Sequence, residues 1–342
     1  MEATLSCTPN EIKTNIIRCI KAGLVPFIQS SPGIGKSSIV RQIANEFRLK
    51  LIDHRLSTSS PEDLLGLPHF EGNKAVFAPF RDIFPLEDTP LDPTYDGWLL
   101  FFDEFNSAPR SVQAACYKIV LDREVGQHKL NKRCVVVCAG NLLDDNAITV
   151  NLSTAMQSRL IHLVMRPDLN EWMENVAIKE HYDERVTTYL KMFPQHLMVF
   201  DPEHTDHTFA CPRTWEFVNK LIKNEPEIDN SFLALLSGTI TNEIAIAFIN
   251  FCKVRDEIIT YQEVLGNPEN ARIPESNAGK WGTIFHLLNH VDGNTFESFA
   301  KYISRYPVDY KIIFYRSVRL YHPDLEDHPT FTEIKMELAK YF

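Results

Sequence analysis

A chain of 342 residues, 44% hydrophobic and 23% charged, is long enough for about two domains with ordinary cores. Its formal charge of −10 disfavours broad contact with duplex DNA, although a local basic patch is compatible with it. No run approaches the ~18 apolar residues of a membrane span, and the opening MEATLSC lacks a basic segment followed by an apolar one, so a cytoplasmic protein is expected. Seven cysteines, without paired C-x-x-C spacing, read as reduced and mostly buried thiols.

Thr8, Pro9 and Glu11 supply a capping box with proline at the first helical position, so a helix opens the chain. A strand follows over Leu24 to Gln29, with Pro26 tolerable near its start or at a sheet edge. It runs into Ser30 to Ser38, SSPGIGKSS, which has the composition of a phosphate cradle. Glycine permits the backbone angles that turn N–H groups inward around phosphates, and a helix N-terminus adds positive potential. Pro32, Gly33, Ile34, Gly35, Lys36, Ser37 and Ser38 are therefore the expected nucleotide-binding residues, with Lys36 reaching the β- and γ-phosphates and Ser37 binding Mg²⁺. The full pattern G-x-x-x-x-G-K-[ST] has glycine where this chain has Ser30. Ile39, Val40, Ile43, Ala44 and Phe47 then recur at helical spacing, the strand–loop–helix context the pattern requires.

Leu51 to His54 is the second expected strand, and Ser60, Pro61, Glu62 and Asp63 mark a helix start. Leu64 to Ala78, with Gly72 and Asn73 between apolar segments, suits a hairpin. Trp98 to Asp103 is an apolar strand ending in two adjacent carboxylates. Below a phosphate loop, Asp103 can hold Mg²⁺ through water, and Glu104 can orient and polarise an attacking water. Val112, Ala115, Cys116, Ile119 and Val120 define an amphipathic helix, and Val125 to Cys134 a second hairpin. The strand Cys134 to Ala139 leads to Gly140 and Asn141, whose amide can bond both a γ-phosphate and the lytic water. Leu160 to Met165 is the fifth strand, and the strand–helix alternation predicts a parallel sheet covered on both faces.

From Pro167 onward helical periodicity takes over, as in Trp172, Val176 and Ala177, then Val186, Tyr189, Leu190 and Phe193. Ile244, Ala245, Phe248, Ile249 and Cys252 are its most apolar stretch, and the segment from about Gly266 to Gly279 reads as a linker. His204, His207 and Cys211 lie near one another without an evident fourth ligand, so an ordinary loop is expected there.

The order of these motifs resembles an AAA+ ATPase, and more narrowly the MoxR family. The narrower likeness rests on FFDEFNSAPRSVQAACYKIVLDREVG at Phe101 to Gly126, VVVCAGN at Val135 to Asn141, AMQSRL at Ala155 to Leu160 and CPRTWEFV at Cys211 to Val218. It covers about residues 8 to 255. The resemblance implies an α/β fold: an AAA+ P-loop αβα sandwich with a parallel five-stranded sheet, then an α-helical lid and additional C-terminal helices. Its parts would be a nucleotide-binding core over 1–166, a helical lid over 167–262 and a C-terminal helical extension over 263–342. Arg159 would match the arginine finger that enters the neighbouring subunit's site, and Arg213 the sensor 2 arginine of the lid, with Arg110 and Arg123 as rival interface charges. The two hairpins would match insertions that face the pore or bound partners in related rings.

The resemblance further implies ATP and Mg²⁺ as cofactors and a homo-oligomer, a hexameric ring, that remodels or matures a protein client. A von Willebrand factor A protein would be one such client, with nucleic acid the less favoured partner. A nucleic-acid-dependent motor and a nucleotide-dependent scaffold with little turnover share the same core motifs, and the intact Glu104 argues against the scaffold.

Overall fold

Gly97–Asp103 is buried from end to end, as an inner strand covered on both faces must be. The computed structural model describes residues 5–80, 83–145, 149–255 and 257–337. The first four residues of the opening MEATLSC, and residues 338–342 of the expected C-terminal extension, lie outside the described residues. The described strands are β1 (Ser6–Cys7), β2 (Val25–Ser30), β3 (Leu49–Arg55), β4 (Leu67–Glu71), β5 (Lys74–Ala78), β6 (Gly97–Asp103), β7 (Glu124–Val125), β8 (His128–Lys129), β9 (Cys134–Asn141) and β10 (Leu160–Met165).

Six of them form one sheet in the order β1-β10-β2-β9-β6-β3, every pair parallel. The five strands read from sequence all lie in it, but the expected five-stranded sheet is corrected to six. β1 extends the edge by pairing Ser6 with Val164 and Cys7 with Met165. Two residues carry no alternation, so nothing in the sequence announces this strand.

Alternation along β6 sends Trp98, Leu100 and Phe102 to one face and Leu99 and Phe101 to the other. On the first face they pack with Phe27, Val136 and Cys138 against Val112, Cys116 and Ile119 of α4 (Arg110–Leu121), which follows α1 (Pro9–Lys21), α2 (Lys36–Glu46) and α3 (Pro61–Leu65) in the chain. On the second face Ile28, Val137 and Ala139 meet Ile12 and Ile16 of α1 and Ile39, Val40 and Ile43 of α2. The result is a P-loop αβα sandwich. The capping boxes at Thr8/Glu11 and Ser60/Asp63 are both formed.

Two hairpins leave the sandwich. β4 and β5 turn at Gly72 and Asn73, and β7 and β8 turn at Gly126 and Gln127. They meet where a His128 ring nitrogen lies 3.1 Å from the Phe77 carbonyl.

After β9 come α5 (Thr154–Gln157), α6 (Leu169–Trp172), α7 (Glu184–Met192) and α8 (Pro212–Ile222). Between α6 and α7 the backbone widens into a π turn over Met173–Ala177, a local change that side-chain periodicity does not signal. Contacts divide the chain into one unit of residues 1–223 with 238–241 and a second of 224–237 with 242–342. Past α8 the chain is helical: α9 (Leu233–Ile240), α10 (Asn242–Arg255), α11 (Tyr261–Gly266), α12 (Asn277–Leu288), α13 (Phe296–Ile303), α14 (Val308–Tyr321) and α15 (Pro329–Glu337). The second unit has its own aromatic core, including Phe296, Phe299, Tyr302, Phe314, Tyr315 and Phe331. The segment expected as a linker joins α11 to α12 inside that unit. Among the described residues no helix is long and apolar enough to cross a membrane.

Candidate active site

The loops after β2, β6 and β9 leave from one carboxyl edge of the sheet, where register pairs Ser30 with Asn141 and Arg55 with Asp103. Ligands of open parallel sheets bind at this edge. Gly33 (φ 79°) and Gly35 (φ 110°) both take the left-handed conformation that favours glycine. Gly35 caps α2 with no side-chain acceptor, so the first-turn N–H groups of α2 face the loop uncapped. Ser30, by contrast, is the last residue of β2, held in the ladder opposite Asn141 and outside the positive-φ set. A side chain therefore fits where the general pattern has glycine, and it is used.

Lys36 Nζ donates to the Ser30 carbonyl at 3.0 Å, to Ser30 Oγ at 3.1 Å and to Asn141 Oδ1 at 3.1 Å. All three acceptors are neutral, and no carboxylate among the described residues forms an ion pair with this ammonium. Burial pushes the Lys36 pKa down to about 8, against the pull of Asp103, Asp145 and Glu104, with Arg213 adding to the depression. A half-buried cation hydrogen-bonded only to neutral groups is a place for an anion.

Asp103, itself buried, accepts from Ser37 Oγ at 2.9 Å on Oδ2 and from the Glu104 N–H at 2.9 Å on Oδ1. Glu104 sits at φ 55°, ψ 36°, a left-handed conformation that costs a non-glycine residue about 1–3 kcal/mol and is concentrated at functional sites. Its Oε2 accepts a hydrogen bond from Ser57, in the turn after β3.

Asn141 is fixed by Asn106, whose Nδ2 donates to the Asn141 carbonyl at 2.8 Å and whose Oδ1 accepts from the Asn141 N–H at 3.1 Å. α8 comes directly to the phosphate loop: the Arg213 N–H donates to the Gly33 carbonyl at 3.1 Å, and the Arg213 side chain lines the same cavity. That cavity measures about 320 Å³ and brings together Pro32, Gly33, Ile34, Gly35, Lys36, Ser37, Ser38, Asp103, Glu104, Asn141 and Arg213. A second, apolar cleft adjoins it, lined by Pro9, Ile34, Trp172, Leu197 and Pro212.

Arg159 is the sequence-read site residue that lies elsewhere. It is exposed, with Nη1 donating to the Ala155 carbonyl at 2.7 Å and its guanidinium 5.1 Å from the centroid of the Tyr117 ring. Of its rivals, Arg110 is exposed at the start of α4, while the Arg123 guanidinium folds back on the Cys134 carbonyl.

Sequence reasoning missed Ser57 and Asn106. Serine and asparagine beyond a strand read as turn residues. Asn106 could have been flagged only by standing two places after Glu104.

The donor set fits a triphosphate with Mg²⁺: uncapped helix N–H groups, a half-buried ammonium hydrogen-bonded only to neutral groups, and a hydroxyl paired with a carboxylate. No family model matches the chain, and no curated protein matches it. Among solved structures it is similar to two variant forms of RuvB from Thermotoga maritima. One is 14% identical, with a TM-score of 0.41 over 78% of this chain and 80% of that one; the other is 13% identical, with a TM-score of 0.40 over 76% and 74%. Likeness this distant carries no functional weight, which rests on the cavity itself.

Proposed function

We propose that this protein is an AAA+ ATPase of MoxR type that forms a ring and uses ATP hydrolysis in the cytoplasm to remodel or mature a partner protein. The observation that carries the reading is the convergence of Lys36, the Ser37–Asp103 pair, Glu104 and Asn141 on one cavity at the carboxyl edge of the sheet. In this reading the phosphate loop and Lys36 hold the β- and γ-phosphates, and the apolar cleft beside Ile34 takes the base. Mg²⁺, held through Ser37 and Asp103, would neutralise charge on the phosphates. Glu104 orients and polarises the attacking water, Asn141 reads the γ-phosphate, and Arg213 answers the triphosphate from α8. Arg159, exposed and turned from its own cavity, completes the neighbouring subunit's site. Residues 1–166 then act as nucleotide core, 167–262 as lid and 263–342 as C-terminal extension.

Glu104→Gln tests the chemistry. The variant is expected to bind ATP as tightly as the wild type while kcat falls by about 10²–10⁴, the usual worth of a general base. Ordinary turnover in it would remove the mechanism. Stimulation of hydrolysis by a protein partner alone supports the remodelling role, whereas stimulation by single-stranded DNA with steep salt dependence would replace it with a nucleic-acid motor.

A further inference from the structure

We infer that Asn106 is a positioning residue for hydrolysis, setting Asn141 against the γ-phosphate; this rests on the ATPase reading above. Asn106 is only 2% exposed, and its amide is spent on the main chain of one residue, taking the N–H and giving to the carbonyl of Asn141. Two bonds, one to each of the peptide groups that flank the Asn141 Cα, fix both the height and the orientation of that residue. Gly140 leaves the room this needs, because a Cβ there would collide with the Asn106 amide. From the other side the Val150 N–H donates to the Asn106 carbonyl at 2.7 Å, so the clamp is itself held.

The clamp belongs to the turn that carries the carboxylates. Asp103 ends β6, Glu104 takes the left-handed step, and Asn106 lies in the 3-10 turn that follows. Asn141 in turn accepts from Lys36. A shift of the Glu104 turn is therefore transmitted to Asn141 through Asn106, and the water-activating and phosphate-reading groups move as one body.

The test is a double-mutant cycle with Asn106→Ala and Asn141→Ala, read in kcat, nucleotide affinity and amide exchange. Each single variant is expected to lose about tenfold or more in kcat with ATP affinity changed less than about threefold, and the double variant to be no more than about threefold below Asn141→Ala. Multiplying losses, or affinity falling in step with kcat, would overturn the assignment. Asn106→Asp, nearly the same shape, keeps the bond from the Asn141 N–H but sets an oxygen against its carbonyl. It is expected to lose turnover likewise, and it covers the case in which Asn106→Ala does not fold. Amide exchange along β9 in the ATP-bound protein reads the clamp without turnover: Asn106→Ala should lose protection at residues 140–141 and keep it at the phosphate loop, and unchanged protection there refutes the clamp. A wild type that binds ATP without releasing phosphate refutes hydrolysis alone, and the exchange result still decides the clamp.

Discussion

The Ser57 hydroxyl donates to Oε2 of Glu104, so the carboxylate proposed to activate water is already held by a residue of the neighbouring strand's turn. A charge-assisted hydrogen bond is worth about 1.5–3 kcal/mol, and one that must be broken before catalysis raises the barrier by part of that. Ser57→Ala is expected to raise basal kcat about threefold to thirtyfold with little change in ATP affinity, measured by steady-state phosphate release. Lower turnover in this variant would mean that Ser57 aims Glu104 productively and does not park it.

Lys36 makes stability depend on pH in a stated direction. Its folded pKa, about 8, lies below the ordinary lysine value of 10.5, so between these values the unfolded chain holds more protons and stability rises with pH. The rise is at most about 3 kcal/mol and should vanish in Lys36→Met, as urea denaturation of the nucleotide-free protein from pH 7 to 10 would report. Nucleotide affinity should run the opposite way, weakening above pH 8. Binding at pH 9 should take up a proton, seen as a dependence of calorimetric heat on the buffer.

Arg159 predicts complementation between subunits. Arg159→Ala should bind ATP yet hydrolyse it about 10³-fold more slowly, the scale of a missing arginine finger. Lys36→Ala should not bind. Mixed in equal amounts, these inactive proteins should regain activity, because in a randomly assembled ring about a quarter of interfaces pair an intact Lys36 with an intact Arg159. Absence of recovery in rings shown to exchange subunits would return Arg159 to a surface role.

Gly33 is constrained twice, by its positive φ and by Cys211, whose Sγ occupies the space a Cβ would need. Gly33→Ala is expected to weaken ATP binding by about tenfold or more, since left-handed strain alone costs roughly 1–2 kcal/mol. Adding Cys211→Ala should recover only part of the loss. Full recovery, measured by titration with a fluorescent nucleotide, would assign the whole effect to crowding.

The inner strands were legible because their apolar runs are short and bounded by turn residues, and Leu160 to Met165 coincides with the observed strand even though Ile161 and His162 are exposed. β3 was legible only in part. It spans Leu49–Arg55 at the sheet edge, where Lys50, Asp53 and Arg55 stand exposed, so the apolar run of Leu51 and Ile52 understates it. The phosphate loop and Asp103–Glu104 were legible because their chemistry demands particular residues at short spacing. Ser57 and Asn106 were not, because each acts through a contact across the sheet edge that only the register creates.

The two-residue β1 does more than lengthen the sheet. It covers the Val164–Met165 end of the β10 ladder edge, the Arg166 N–H donates to the Cys7 carbonyl at 3.0 Å, and within three residues Pro9 and Asn10 form a wall of the cleft proposed for the base. One short hem thus closes a seam and frames a doorway. Trimming or tugging the chain ahead of Thr8 would expose a sticky border and loosen the grip on the base together, so solubility and nucleotide hold would fail in concert.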